Sequence, residues 1–266
     1  TLAEHIIKRL GYSSCKNANI LVFPTMVRKA MGMVLNPEIK DKPIIVAHNA
    51  PLLSNGITKA TEKKLGANAQ VALDFMQKAV AKDQVVVVYA GAVGQRYGWD
   101  VLIQSIGAIE EKFVLLILGD KHDLGFREYN SAIAHCEYPE NILWLDSIPY
   151  FEMQYVLKFA HMGFVHYIGD TLNTYFSAPG KLYEYLKAGL IVLTDQQACI
   201  ANDLEVSNAA LFFETPLRRE NLIHILTHFP KDSINSHRQN AIELFKNKYA
   251  FENQIQPLIA LIKNLQ

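Results

Sequence analysis

Short apolar runs alternate with stretches of helical periodicity over most of this chain. An unbroken run at 85–90 contains four consecutive valines, and similar runs recur at 113–118, 142–145, 162–167, 190–194 and 209–213. Apolar runs of about four to eight residues without alternation suit strands buried on both faces of a parallel sheet. Helical stretches fall between them at 99–111, 126–136, 150–161 and 198–205. Two helices close the chain at 217–229 and 233–265, the second with a break near 249–251. A segment rich in Ala, Lys, Glu and Leu predicts a helix over 59–82. Strands alternating with helices imply right-handed crossovers, hence an α/β, Rossmann-like parallel sheet with helices on both faces. Ligands in such folds bind outside the carboxyl ends of the strands.

The first residues are patterned differently. A helical pattern at 2–10 precedes an apolar run at 20–23 that Pro24 ends. Thr25 is a candidate cap for a helix through Met33, and 43–47 is a further strand-like run before His48-Asn-Ala-Pro51. Residues 52–58 read as linker, with Ser54, Asn55 and Gly56 clustered. The expected division is an N-terminal part with linker at 1–56 and a main domain at 57–266.

Candidate chemistry concentrates at 177–193. Pro179 fits the first turn of a helix and Ser177 a cap before it. Leu182, Tyr185 and Leu186 give that helix one apolar face, and Gly189 ends it before a buried strand. Gly180 leaves backbone amides uncovered in the first turn, Lys181 adds a cation, and Glu184 lies one turn on along the same face. Bare amides at a positive helix end suit a phosphate, and a carboxylate one turn away suits ribose hydroxyls. A solvated helix with a Lys–Glu pair fits the same residues.

Elsewhere, Gly91, Gly94 and Gly98 form a strand-to-helix turn where a backbone can approach a phosphate. Gly119 ends the next strand and offers another close approach. Asp120 and Asp123, spaced D-x-x-D, read as solvated loop carboxylates, and no metal is expected. Trp144 falls inside a strand and reads as core. His161 and His166 have no carboxylate or serine partner placed by the sequence and read as packing or surface histidines. His48 and Asn49 fit either a cleft or a linker turn. No Ser/His/Asp or Cys/His arrangement can be identified.

Composition narrows the classes. Lys plus Arg equals Asp plus Glu at 26 each, which removes the electrostatic case for nucleic-acid binding. Cys15, Cys136 and Cys199 are odd in number and widely spaced, which favours a reducing compartment. No signal peptide is visible, and the apolar runs are too short to span a bilayer. The expected location is the cytoplasm, with peripheral placement at the inner membrane face as an alternative.

The 177–193 stretch resembles the nucleotide-sugar motif of glycosyltransferase family 4, S-P-x-K-x-x-E-x-x-A-x-G. Here it stands as Ser177, Pro179, Lys181, Glu184, Ala188 and Gly189, with slightly altered spacing. The resemblance implies Glu184 as the ribose ligand and Ala178, Pro179, Gly180 and Lys181 as the phosphate loop, Pro179 by shape alone since it has no N–H. The turn 91–98 resembles the family's G-R-L-x-x-x-K-G loop, but the Arg falls at Ala92 and the Lys at Tyr97, which leaves the adjacent Arg96 as the diphosphate cation. Leu118-Gly-Asp120 matches the family's L-x-G-x-G region in part. Residues 141–149 resemble the strand and turn that cradle the base, with Ser147 and Ile148 as positional candidates. The family's second Glu, eight residues upstream, is replaced by Phe176; either Asp170 or Asn173 takes its role, or the sugar is handled differently. Asp195, Gln196 and Gln197 stand where the family often has a Gly-Gly turn near the sugar.

By resemblance the chain is the C-terminal, nucleotide-sugar-binding half of a GT-B glycosyltransferase, with 1–56 a remnant of the N-terminal Rossmann-like domain. The implied reaction is a retaining, metal-independent hexosyl transfer from a UDP- or GDP-sugar to an acceptor hydroxyl, as in polysaccharide biosynthesis. No cofactor is implied beyond the donor itself. The acceptor (a glycan, a lipid-linked sugar or a protein) would sit on the missing N-terminal domain, and a chain beginning at Thr1 is expected to be a fragment. The alternatives are a sugar-nucleotide epimerase of the same architecture and a non-catalytic nucleotide-binding or scaffolding module. The substituted Arg, Lys and Glu positions favour the latter.

Overall fold

The computed structural model describes residues 14–53, 65–169, 171–197 and 199–264. The expected helix at 2–10, most of the linker, the start of the 59–82 helix, Asp170 and Ala198 lie outside them. The strands are β1 (Leu21–Phe23), β2 (Ile44–Val46), β3 (Val85–Ala90), β4 (Phe113–Leu118), β5 (Ile142–Leu145), β6 (Met162–Phe164), β7 (Ile191–Asp195) and β8 (Ala210–Phe213). The helices are α1 (Met26–Leu35), α2 (Ala67–Ala81), α3 (Trp99–Ile106), α4 (Asp123–Ile133), α5 (Tyr150–Leu157), α6 (Leu172–Tyr175), α7 (Gly180–Ala188), α8 (Ala201–Val206), α9 (Arg219–His228), α10 (Ile234–Leu244), α11 (Phe251–Gln254) and α12 (Gln256–Asn264).

β3 to β8 form one sheet in the order β5-β4-β3-β6-β7-β8, with every neighbouring pair parallel. Alternate residues of β3 explain its unbroken apolar sequence. Val86, Val88 and Ala90 pack in a core with Ala72, Leu73 and Met76 of α2, and with Leu182 and Leu186 of α7. Val85, Val87 and Tyr89 pack in a second core with Leu102, Ile103 and Ile106 of α3 and Leu222 and Leu226 of α9. Both faces are therefore covered, and each fully buried large aliphatic side chain contributes about 1.5–3 kcal/mol. At Gly163 of β6 a Cβ would lie 2.3 Å from the Tyr185 ring, so the glycine is what lets α7 seat against the sheet.

Strand order runs outward in opposite directions from β3 and β6, and a crevice opens at their carboxyl ends. β1 and β2 form a separate two-stranded parallel sheet. Thr25 caps α1 by accepting the Arg28 N–H at 3.1 Å, as expected, although the helix runs on to Leu35.

Several boundaries move. The 99–111 helix stops at Ile106, where the Gly107 carbonyl accepts the N–H groups of Glu137 and Tyr138, both at 2.8 Å, and a Cβ at 107 would lie 2.4 Å from Cys136 Sγ. The helix expected from 126 starts at Asp123, capped by His122 Nδ1, which accepts the Gly125 N–H at 3.0 Å. The 150–161 helix ends at Leu157 and β6 ends at Phe164. The last helix passes through a π-turn at Phe245–Tyr249 and breaks at Ala250, whose ψ is 130°. The four-residue α6 has no periodic signature in the sequence and was not expected.

Candidate functional site

α7 begins at the crevice, with a start different from the one expected. Pro179 has φ −72° and ψ 123°, so it is the extended residue before the helix rather than its first turn, and Gly180 is the first helical residue. Ser177 is not the cap; no side chain caps this end. The ring of Pro179 holds the approach, and the first amides of α7 are left without a side-chain partner.

Lys181 does not form the exposed Lys–Glu pair. Its Nζ lies 4.2 Å from the centre of the Tyr89 ring, 5.5 Å from Tyr97 and 5.4 Å from Tyr167. Tyr97 and Tyr167 meet edge to face at 5.4 Å, which fixes two walls of this cage. Among the described residues no carboxylate is within ion-pair distance. Burial lowers the ammonium from its ordinary 10.5 to about 7, and the more distant Glu184 charge only partly offsets this. Burial likewise raises Glu184, against the pull of Lys181 and Lys187.

The glycine turn supplies the floor. Gly91, Gly94 and Gly98 have φ of +136°, +144° and +65°, values that side chains resist. A Cβ on Gly91 would lie 3.5 Å from Lys181 Nζ, so bare backbone leaves the lysine its room. The close approach that Gly119 permits is to protein: a Cβ there would lie 2.4 Å from the Gly91 carbonyl oxygen. Arg96 is exposed and borders a recess of ≈ 400 Å³ with Ser177, Ala178 and Pro179. Chain folding thus brings Gly91, Arg96, Lys181 and the 178–180 loop together. Ser147 and Ile148 lie beyond β5, two strands from β3; Ser147 Oγ donates to Asp120, and Ile148 packs against the core. Trp144 is core, and its Nε1–H donates to the Gly119 carbonyl at 2.9 Å.

The N-terminal segment takes part, which the sequence did not reveal. Arg28 Nε–H donates to the Phe176 carbonyl at 2.8 Å, and Nη2 donates to the Asn173 carbonyl at 3.0 Å and to Asn173 Oδ1 at 2.7 Å. Asn49 Nδ2–H donates to the Ala178 carbonyl at 2.9 Å. His48 Nδ1 meets the Tyr183 hydroxyl at 2.5 Å. These bonds hold the loop leading into α7, and Asn173 is engaged by Arg28.

The reading of His166 as a histidine without a carboxylate partner is overturned. Its Nδ1 lies 2.6 Å from Asp195 Oδ2, both side chains being buried. Asp195 Oδ1 accepts the Gln197 N–H at 2.8 Å. The signal was present: each residue is a polar end to an apolar run, and β6 and β7 are neighbours. His161 is structural. Its Nδ1 accepts the Val86 N–H at 2.9 Å, and burial lowers it to about 4.

The geometry suits an anion beside a hydroxyl-bearing group: uncapped amides, a desolvated cation, an exposed guanidinium and a carboxylate one turn along. No protein-family model matches the sequence, and no curated protein matches it. Solved structures do share its fold. HepE from Anabaena, in complex with UDP and glucose, matches with a TM-score of 0.74 at 11% identity, over 96% of this chain and 66% of that one. Sucrose-phosphate synthase from Thermosynechococcus elongatus matches at 0.70 and 14% identity, over 97% and 61%. WaaG, a glycosyltransferase involved in lipopolysaccharide biosynthesis, matches at 0.60 and 16% identity, over 87% and 60%. The chain spans about three-fifths to two-thirds of the length of these structures. Its fold is the Rossmann-like α/β architecture of the GT-B glycosyltransferases.

Proposed function

We propose that this chain binds a nucleoside-diphosphate sugar and is the donor half of a family 4 type glycosyltransferase, retaining and independent of metal. The observation that carries the reading is the caged Lys181 at the uncapped start of α7. A lysine held without a carboxylate partner gains from an arriving phosphate what it lost on burial. HepE, which shares the fold, was crystallised with UDP and with UDP-glucose.

In this reading the diphosphate lies over the amides following Pro179 and Gly180, against Lys181 and within reach of Arg96. Glu184 accepts from the ribose hydroxyls, and the base lies toward Ser147 and Ile148. Transfer breaks the bond between the sugar's anomeric carbon and the diphosphate oxygen, and an acceptor hydroxyl takes that place. Negative charge grows on the departing diphosphate, where amides and Lys181 are already arranged. The acceptor site lies on an N-terminal domain of which 1–56 is the end, so this chain alone binds donor but transfers little. Among the described residues no helix is long and apolar enough to cross a membrane. The proposed setting is polysaccharide assembly in the cytoplasm or at the inner membrane face.

A second reading, a nucleotide-binding module without transfer, is favoured by one observation. Tyr97, at the position of the family's lysine, is a wall of the Lys181 cage and supplies no cation.

Calorimetric titration with UDP, GDP and ADP, with and without a divalent cation, tests the proposal. Metal-independent binding of one nucleotide is expected. Glu184→Ala should weaken it several-fold with folding intact, and unchanged affinity would refute the ribose assignment.

A further inference from the structure

We infer that the His166–Asp195 pair is the polar wall of a subsite for the sugar carried by the donor, an inference that rests on the nucleotide-sugar reading above. His166 and Asp195 are only 6% and 4% exposed. Burying an imidazole and a carboxylate carries a desolvation cost that an apolar pair would avoid. Both Asp195 oxygens are engaged, one by His166 Nδ1 and one by the Gln197 N–H, so the carboxylate is fixed. Asp195 accepts from His166 Nδ1–H, which fixes the ring's orientation and makes Nε2 its second polar position. Nδ1 is the one nitrogen of that ring with a hydrogen-bond partner among the described residues.

His166 lines a cavity of ≈ 600 Å³ with Gly98, Asp100, Tyr175, Gln197 and Leu217. That volume is within the range of small-molecule sites. Leu217 and Tyr175 bring apolar surface to its lining, and Asp100, Gln197 and His166 bring polar groups, a mixture that matches the apolar faces and hydroxyl rim of a neutral hexose. Gly98 has to be bare, since a Cβ would lie 2.8 Å from His166 Cδ2. The cavity also joins the phosphate site. Tyr167 lines it and forms one wall of the Lys181 cage. Ser177 and Pro179 share a smaller recess with His166, Tyr175 and Gln197. A sugar attached to a phosphate at Lys181 has this cavity as its next enclosed space.

The test is calorimetric titration of the chain with UDP and UDP-glucose, and with the matching GDP and ADP pairs. The sugar nucleotide should bind more tightly than its nucleotide. His166→Asn retains an N–H for Asp195 but removes Nε2; it should weaken the sugar nucleotide by about tenfold and leave the nucleotide unchanged. Gln197→Ala removes an exposed side chain that lines the cavity but keeps the backbone N–H that holds Asp195; it should act in the same direction, and decides the matter if His166→Asn does not fold. Equal loss for nucleotide and sugar nucleotide, or no loss in either variant, overturns the subsite alone. Failure of the unaltered chain to bind any of the six ligands overturns the nucleotide-sugar reading, and this inference with it.

Discussion

Replacing Lys181 with methionine should stabilise the protein while abolishing its hold on a diphosphate. Methionine keeps most of the apolar stem and removes the charge. In the unfolded chain this lysine titrates near 10.5, and in the folded chain near 7. Between those values the unfolded state binds the extra proton, so folded stability rises with pH across the window. Below about pH 7 both states are charged and the full cost applies. The gap corresponds to about 5 kcal/mol. Contacts with three tyrosine rings offset part of it, by about 2–4 kcal/mol together. A net gain of about 1–3 kcal/mol is expected for Lys181→Met at pH 7 and below, fading to nothing near pH 10.5. Urea unfolding of both proteins at pH 6, 7, 8.5 and 10 reads this directly. A gain that does not change with pH, or a variant less stable at pH 6, would refute the argument that burial of charge governs this residue. The same variant should show no measurable nucleotide binding.

Other expectations follow from single contacts. His161 titrates near 4 when folded against an ordinary 6.5, so the unfolded state takes up the proton first as pH falls. The fold should lose about 3 kcal/mol between pH 6.5 and 4; urea midpoints should show a shallower loss in His161→Gln, and an identical slope would contradict the assignment. Gly119→Ala would place a Cβ 2.4 Å from the Gly91 carbonyl oxygen. With backbone on the other side, the strain should cost about 1–3 kcal/mol and displace the glycine turn, seen as a lowered Tm together with weakened nucleotide binding. Arg28→Ala removes three hydrogen bonds to residues 173–176. Nucleotide affinity should fall roughly fivefold, about 1 kcal/mol, with little change in Tm; an unchanged titration would show that the loop holds itself.

The sheet was legible because each strand is buried on two faces, so β3, β4 and β7 appear as uninterrupted apolar runs. Helix ends were less so. α3 ends where the Gly107 carbonyl turns to the N–H groups of Glu137 and Tyr138, about thirty residues away in the chain, a contact that no local pattern records. At α7 the motif was read correctly as a helix start, but the cap was misplaced. Proline favours both the first turn and the extended residue before it, and only the backbone angles distinguish them. Lys181 is legible as a cation without its environment, because its three tyrosines come from β3, the glycine turn and the loop after β6. The pairing of His166 with Asp195 is hidden for a similar reason: residues far apart in sequence become neighbours when parallel strands align their ends.

The four hydrogen bonds from Arg28 and Asn49 have a thermodynamic consequence. They tie the loop entering α7 to a segment that belongs to another sheet. Any rotation that carries β1 and β2 away from α7 must break them and leave the Asn173, Phe176 and Ala178 carbonyls to solvent. If a bound diphosphate favours the clasped form, the clasped form must favour the diphosphate by the same factor. Donor affinity and cleft angle then become a single equilibrium. Release of a spent nucleotide and opening of the cleft would be two descriptions of one event.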